Sequence, residues 1–172
     1  RQLIGVTTDV VTSKKIRKSI QAVGRITYDE TRLSDVSLKY DAWIGDLYTN
    51  YIGAPVKKGA PLFTVYSPAL LAAQEEYLEA IKHRSSKGAN YTRFTEAAKH
   101  KLQLLDITTQ QIKALARGGR SIEQLPILAT TNGTVIEKHV VAGSAVKSGQ
   151  PVLRIADLSN VWAEAQLYDH EL

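Results

Sequence analysis

Hydrophobic and polar residues alternate in several short segments of this chain, and one such pattern occurs twice. The segment GAPVKKGAPLFTVYSP (53–68) is echoed by GSAVKSGQPVLRIADL (143–158) at an offset of 90 residues. In each copy two glycines bracket a valine, and an apolar run follows. Glycine is suited to turns with positive φ, and short apolar runs between turn signals are typical of strands. Each copy is therefore predicted to be a small β unit.

The two β units are expected to share one hydrophobic core. Each follows an alternating segment, WIGDLYTNYIG (43–53) or GTVIEKHVVAG (133–143), as expected for a strand with one buried face. Half of a two-layer β structure cannot bury its own apolar face. We therefore expect the two halves to pack against each other. Residues 18–30 and 161–172 also alternate and are predicted to be strands of one further β unit.

The segment between the two copies has helical character. Ser67 and Pro68 are a suitable N-cap and first residue for a helix that extends to about residue 86. Asn90 is predicted to cap a second helix from about residue 91, and the short link makes the pair an antiparallel hairpin. The predicted apolar stripes are Leu71, Gln74, Leu78 and Ile81 in the first helix, with one polar member, and Phe94, Ala98, Leu102 and Leu105 in the second.

The returning helix is predicted to be interrupted near Asp106. Thr108 and Gln111 have the spacing of a capping box, which indicates a further short helix. The glycines of RGGR (117–120) are expected to end that helix, and β pattern resumes at QLPILAT (124–130). A helical hairpin is thus inserted between two halves of a β module.

Composition and charge exclude several function classes. The chain of 172 residues has no cysteine and no methionine, so it contains no disulfide, thiolate metal site or thioether ligand. No apolar run approaches the ~20 residues of a membrane-spanning helix. The net charge is +5, but the basic residues are separated by acidic ones and have no aromatic platform beside them. This distribution argues against nucleic-acid binding. Because residue 1 is Arg and no leader pattern precedes the first periodic segment, we expect any targeting peptide to have been removed or left out.

Candidate catalytic and metal-binding residues are few. The histidines at 83, 100, 139 and 170 have no zinc-type spacing, and His83 beside the hairpin turn is a weak metal candidate only. Glu79 is expected to pair with Lys82 or His83 on an exposed helix face. No serine lies in a nucleophile-elbow pattern and no phosphate-binding loop is present, so we expect no enzymatic activity.

The repeated G-x-x-V-K-x-G-x-P pattern resembles the two halves of a lipoyl or biotinyl domain. Such carriers present a modified lysine between the halves, whereas this chain has VYSPALLAAQEEYLEA (65–80) there. The nested order of strand, half-motif, helical hairpin, half-motif and strand resembles periplasmic adaptors, or membrane fusion proteins, of the HlyD and lipoyl-like superfamily. The CusB-like adaptors of heavy-metal RND efflux are the most similar branch, through GRITYDETR (24–32), VKKGAPLFTVYSPALLAAQEEYL (56–78) and ADLSNVWAEAQLYDHEL (156–172).

The resemblance implies a mainly β fold with an inserted α-helical hairpin. A lipoyl-like β-sandwich is expected from residues 36–67 and 123–159, with the hairpin over 68–122. Residues 1–35 and 160–172 would contribute strands of a partial β-barrel or membrane-proximal domain. Methionines that bind metal in the copper branch have no counterpart, so no cofactor is expected and any transient metal ion would bind outside these residues.

The resemblance also implies a function that works through protein surfaces. The protein is expected to be a noncatalytic periplasmic adaptor at the inner membrane of a Gram-negative bacterium, exporting copper- or silver-type cations. It would link an inner-membrane RND transporter to an outer-membrane channel and assemble as a hexameric ring. An adaptor of an ABC or type I secretion exporter is the alternative, and a lipoyl- or biotinyl-type carrier a more remote one.

Two surfaces are candidates for partner contacts. The first is the hairpin tip, whose basic groups would orient it on a polar or acidic channel rim. It comprises Arg84, Ser85, Ser86, Lys87, Asn90, Tyr91 and Arg93. The second is a set of lysines in the glycine turns, Lys57, Lys58 and Lys147, as ring contacts. The alternative for both surfaces is an ordinary solvated turn.

Overall fold

The fold is seen in a computed structural model that describes residues 9–15, 19–84 and 89–167, without the side chains of residues 84 and 89–91. The chain divides into a larger unit, Tyr28–Trp162, and a smaller unit that includes the described residues on either side of it. None of the helices in the described part is long and apolar enough to span a membrane.

Ten strands, three α-helices and one short 3-10 helix make up the described structure. The strands are β1 (Gly24–Tyr28), β2 (Leu33–Ser37), β3 (Ala42–Leu47), β4 (Pro55–Val56), β5 (Pro61–Tyr66), β6 (Leu125–Leu128), β7 (Gly133–Lys138), β8 (Ala145–Val146), β9 (Pro151–Ala156) and β10 (Val161–Ala165). The helices are α1 (Pro68–Arg84), α2 (Ala89–Leu104) and α3 (Thr109–Gly118), and the 3-10 helix is Glu30–Arg32.

The larger unit is a sandwich of two four-stranded antiparallel sheets with equivalent strand orders. One sheet has the order β2-β9-β7-β4 and the other β6-β5-β3-β8. The first half-motif contributes β3 and β5 to one sheet, and the second contributes β7 and β9 to the other. Each half also gives its two-residue strand, β4 or β8, to the opposite sheet. The halves are therefore interlocked as well as packed together.

The glycine turns of the two halves have matching geometry. Gly53 and Gly143 have φ values of 93° and 84°, and they occupy the left-handed conformation predicted for them. The Gly53 amide donates to the Val135 carbonyl oxygen at 2.7 Å, and the Gly143 amide donates to that of Ile44 at 2.8 Å. Each turn thus hydrogen-bonds to a strand of the other half.

The sandwich core is formed by residues from both halves. Phe63 and Leu153, which occupy matching positions in the repeat, are both fully buried. The same holds for Leu62 with Val152 and for Val65 with Ile155. The prediction that the two units complete one core is confirmed.

The short helix α3 begins and ends as its sequence predicts. The Thr108 hydroxyl accepts from the Gln111 amide at 3.2 Å, and the Gln111 side chain accepts from the Thr108 amide at 3.1 Å. Gly119, with φ of 65°, follows the helix and donates its amide to the Leu115 carbonyl oxygen. Asp106, between α2 and α3, has φ of 60°. The predicted break in the returning helix is confirmed at this residue.

Strands β1 and β10 form a two-stranded sheet, and most of their residues belong to the smaller unit. The Arg25 Nε atom donates to the Glu164 Oε2 atom at 2.7 Å across this pair. The predicted fold class is therefore confirmed: mainly β, with two half-motifs, an inserted helical hairpin and a further strand pair. The exact division into domains stays a prediction. Strand β2 spans the predicted boundary between residues 35 and 36 and pairs with β9 of the sandwich.

Candidate functional site

The most prominent candidate surface is the hairpin formed by α1 and α2. The two helices pack through buried side chains, and polar contacts join them at two levels. The Lys101 ammonium lies 2.6 Å from the Glu76 carboxylate, and the Thr95 hydroxyl donates to the Ala80 carbonyl oxygen at 3.2 Å. Glu79 lies 2.6 Å from Lys82 and 3.5 Å from His83, which confirms the predicted surface pairing.

The predicted helix stripes are partly wrong. In α1, Leu70 is buried and Leu71 is only half-buried. The helix packs against both α2 and α3, so its buried face is not the single narrow stripe predicted from the periodicity. In α2, Phe94 is 64% exposed, and Thr95 takes the buried position. A hydroxyl that bonds to a helix carbonyl can be buried at low cost, so apolarity alone did not identify the interface.

The hairpin tip falls largely outside the described residues. Ser85, Ser86 and Lys87 are not described, nor are the side chains of Arg84, Asn90 and Tyr91. Arg93 is exposed on α2. The predicted cap is wrong in position: α2 begins at Ala89, a better helix former than asparagine, so that Asn90 lies inside the helix. The tip therefore stays a predicted partner site.

The histidine and the lysines singled out from the sequence are all exposed. The His83 side chain is 49% exposed, and the described residues contain no group of three potential metal ligands. Lys57 and Lys147 occupy equivalent turns, in which their carbonyl oxygens accept from Ala60 and Gln150 at 2.9 and 3.0 Å. Lys58 follows Lys57, and its amide donates to the Asn132 side chain at 2.8 Å. Their role as ring contacts stays a prediction.

Polar contacts that the sequence prediction missed join α1 to the segment after α3, and α3 to the sandwich. The Gln74 side chain, 2% exposed, donates to the Ile122 carbonyl oxygen at 3.1 Å and accepts from the Ile122 amide at 2.9 Å. Gln111 donates to the Pro126 carbonyl oxygen at 2.7 Å. The only signal for Gln74 was its place as the one polar residue in an otherwise apolar stripe.

A charged network crosses the outer face of one sheet. Arg154 in β9 donates to both carboxylate oxygens of Asp35 in β2, at 2.5 and 2.9 Å, and to Glu137 in β7 at 2.9 Å. Glu137 also lies 3.1 Å from the His139 ring. The hydrogen bonds from Arg154 hold the pKa of Asp35 below its ordinary value of 3.8. The network therefore ties three neighbouring strands together at neutral pH.

Asp35→Asn is expected to destabilise the protein slightly at neutral pH and not at all in strong acid. A carboxyl whose pKa is lowered by folding stabilises the native state above its unfolded pKa, and this contribution is lost as the pH falls through the folded pKa. Because Asp35 is about half exposed, we expect less than about 1 kcal/mol at about pH 7. Urea unfolding at about pH 7 and about pH 2 measures the difference. Asp46→Asn, at an exposed site, is the control, and an effect that persists in acid would contradict the prediction.

Comparison with known sequences identifies relatives of this chain. The sequence model of the family described as "CusB, barrel-sandwich hybrid domain" matches residues 33–156. The chain is 28% identical over 179 residues to the cobalt-zinc-cadmium resistance protein CzcB of Cupriavidus metallidurans, covering 93% of this chain and 34% of that protein. It is 24% identical over 166 residues to the cation efflux system protein CusB of Escherichia coli K12, covering 96% of this chain and 40% of that protein.

Comparison with solved structures gives a similar fold. The crystal structure of ZneB from Cupriavidus metallidurans matches with a TM-score of 0.53 and 21% sequence identity, covering 83% of this chain and 67% of that one. At this identity the likeness supports the fold alone. The chain spans well under half the length of the curated relatives CzcB and CusB.

Proposed function

Because the chain belongs to the family of CusB barrel-sandwich hybrid domains, we propose that it is the central part of a noncatalytic adaptor for heavy-metal cation efflux. The adaptor links an inner-membrane RND transporter to an outer-membrane channel in the periplasm. The sandwich is the rigid platform, and the hairpin is the element that reaches a partner. The domain division given above, with the lipoyl-like module in two halves, is part of this proposal.

One observation carries the proposal: the place where the hairpin leaves the sandwich. Strand β5 ends at Tyr66, and α1 begins at Pro68 after a single residue, Ser67, which is 2% exposed. A carrier domain would present its modified lysine between the two halves. This chain instead projects two packed helices from that point, which favours a connector over a lipoyl or biotinyl carrier.

The proposed cargo is a heavy-metal cation. The name of CzcB specifies cobalt, zinc and cadmium resistance, whereas the name of CusB specifies cation efflux. Copper or silver is our expectation from the sequence resemblance, and the divalent cations in the name of CzcB are the competing set. The described residues offer no cluster of three metal ligands, so the proposal places ion selection outside them.

Deletion of the gene tests the proposal. The strain without it is expected to lose tolerance to one set of cations, either copper and silver or cobalt, zinc and cadmium, and a plasmid copy should restore it. Growth inhibition is measured across both sets and across organic antibiotics. Loss of tolerance to organic compounds alone would contradict the heavy-metal proposal. An unchanged profile for every compound would contradict an efflux role and favour the ABC or type I secretion alternative.

The tip surface is tested by charge reversal. The double variant Arg84→Glu/Arg93→Glu is expected to reduce metal tolerance toward that of the deletion strain, because the tip would repel an acidic channel rim. The control variant Arg117→Glu/Arg120→Glu makes the same change at two exposed arginines near the end of α3, away from the tip. Circular dichroism checks that both variants are folded. Equal tolerance in the two variants would exclude the tip as the docking surface.

A further inference from the structure

A cavity of about 620 Å³ lies at the junction between the sandwich and the base of the hairpin. Four segments surround it: the end of β2 with the following link, the turn between β4 and β5, the end of β6 with the residues after it, and the α2–α3 turn with the start of α3. Its apolar wall includes the half-buried side chains of Val36, Leu105, Ile127 and Leu128. This volume and this wall suit a small molecule with an apolar body.

Four charged residues line the cavity, and all but one of them form a salt bridge with a described residue. The Lys39 ammonium lies 2.8 Å from the Asp106 carboxylate, and the Asp35 carboxylate is occupied by Arg154. Lys58 also lines the cavity, and it has no ion pair with any described residue. The cavity therefore carries one cationic group whose charge is not balanced within the described structure.

A buried hydroxyl adds a second polar feature. Tyr40 lines the cavity and is 6% exposed, and its hydroxyl has no hydrogen-bond partner among the described residues. Burial raises the pKa of Tyr40, with the Asp106 charge as a second cause, so the hydroxyl keeps its proton at neutral pH. An unpaired buried hydroxyl is costly, and native proteins usually satisfy such groups.

From the apolar wall, the unpaired ammonium of Lys58 and the unsatisfied hydroxyl of Tyr40, we infer that this cavity binds a small amphipathic organic anion. The apolar body lies against Val36 and Ile127, and the acidic group pairs with Lys58 at the rim. This inference goes beyond the proposed efflux function. It adds a ligand site whose walls belong to both the sandwich and the α2–α3 turn, so that a bound molecule bridges the platform and its arm.

Two matched fluorescent probes test the site. Anilinonaphthalene sulfonate has an aromatic body with an acidic group, and phenylnaphthylamine has the same body without it. We expect one sulfonate per chain to bind saturably, about tenfold more tightly than the neutral probe, because a charge-assisted contact is gained. Lys58→Gln is expected to remove this difference by weakening the sulfonate about tenfold while leaving the neutral probe unchanged.

Lys57→Gln and Lys147→Gln are the controls, since they remove the same charge at residues that do not line the cavity. Lys57 lies beside Lys58 in the same turn, and Lys147 occupies the equivalent turn of the second half. Both should bind the two probes as the parent chain does, and circular dichroism should show all variants folded. Absence of saturable sulfonate binding, or equal weakening by Lys57→Gln and Lys58→Gln, would overturn the inference. Neither result bears on the metal-tolerance tests, because those do not depend on this cavity.

Discussion

Gly133→Ala is expected to lower the free energy of unfolding by about 3 kcal/mol, near the upper end of the usual cost of overpacking. A Cβ atom added to Gly133 would lie 2.5 Å from the Ala156 carbonyl oxygen and 2.7 Å from the Ile155 Cγ2 atom. The first neighbour is backbone of the paired strand β9, and Ile155 is fully packed in the core. Neither can move without disturbing the contact between β7 and β9.

The measurement is urea unfolding followed by circular dichroism, with Gly118→Ala as the control. A Cβ atom at Gly118 meets nothing within 4 Å, so this variant should be as stable as the parent chain or slightly more so. Equal stability of the Gly133→Ala variant and the parent would show that the strands can separate locally, and would contradict the close approach seen here. Because each half supplies a strand to the other sheet, we expect unfolding to remain a single transition.

The features of the sandwich that depend on residues close together in the sequence were predictable. Matching glycines predicted the turns, and their φ values of 80° to 93° confirm that prediction. The exchange of β4 and β8 between sheets was not predictable, since a two-residue strand has no periodicity to recognise. Gly133 gave no turn signal either. Glycine is needed at this position because β9, which is distant in sequence, approaches too closely to leave room for a side chain.

In the helical insertion, too, a feature set by neighbouring residues was predicted correctly, whereas features set by contacts between distant segments were not. The capping box at Thr108 depends on residues three positions apart and was predicted correctly. The buried face of α1 depends on contacts with both α2 and α3. Helical periodicity alone does not contain these contacts, and it led to the prediction of Leu71 in place of the buried Leu70. Partner surfaces were inferred from family resemblance. The cavity beside Lys58 arises where four segments that are distant in sequence meet, so no sequence pattern predicted it.

Gln74→Leu is expected to cost about 2 kcal/mol of unfolding free energy and to loosen the base of the hairpin. Leucine has nearly the same size, so the change removes hydrogen bonds without opening a large cavity. It leaves the Ile122 amide and carbonyl without their side-chain partner. The Gln74 side chain that makes both bonds is 2% exposed, whereas Ile122 is 38% exposed. A polar group that loses its partner where water has restricted access costs more than the bond itself contributed.

Hydrogen exchange separates this local effect from a global one. In the Gln74→Leu variant the Ile122 amide should exchange much faster, while amides in the sandwich core, such as that of Val135, should follow the global change in stability alone. Gln103→Leu, on the exposed face of α2, is the matched control and should leave both unchanged. If Ile122 keeps its protection in the Gln74→Leu variant, the segment after α3 is held by other contacts. If it loses protection as expected, one polar side chain in an apolar stripe fixes this segment to α1, and the stiffness of the arm depends on it.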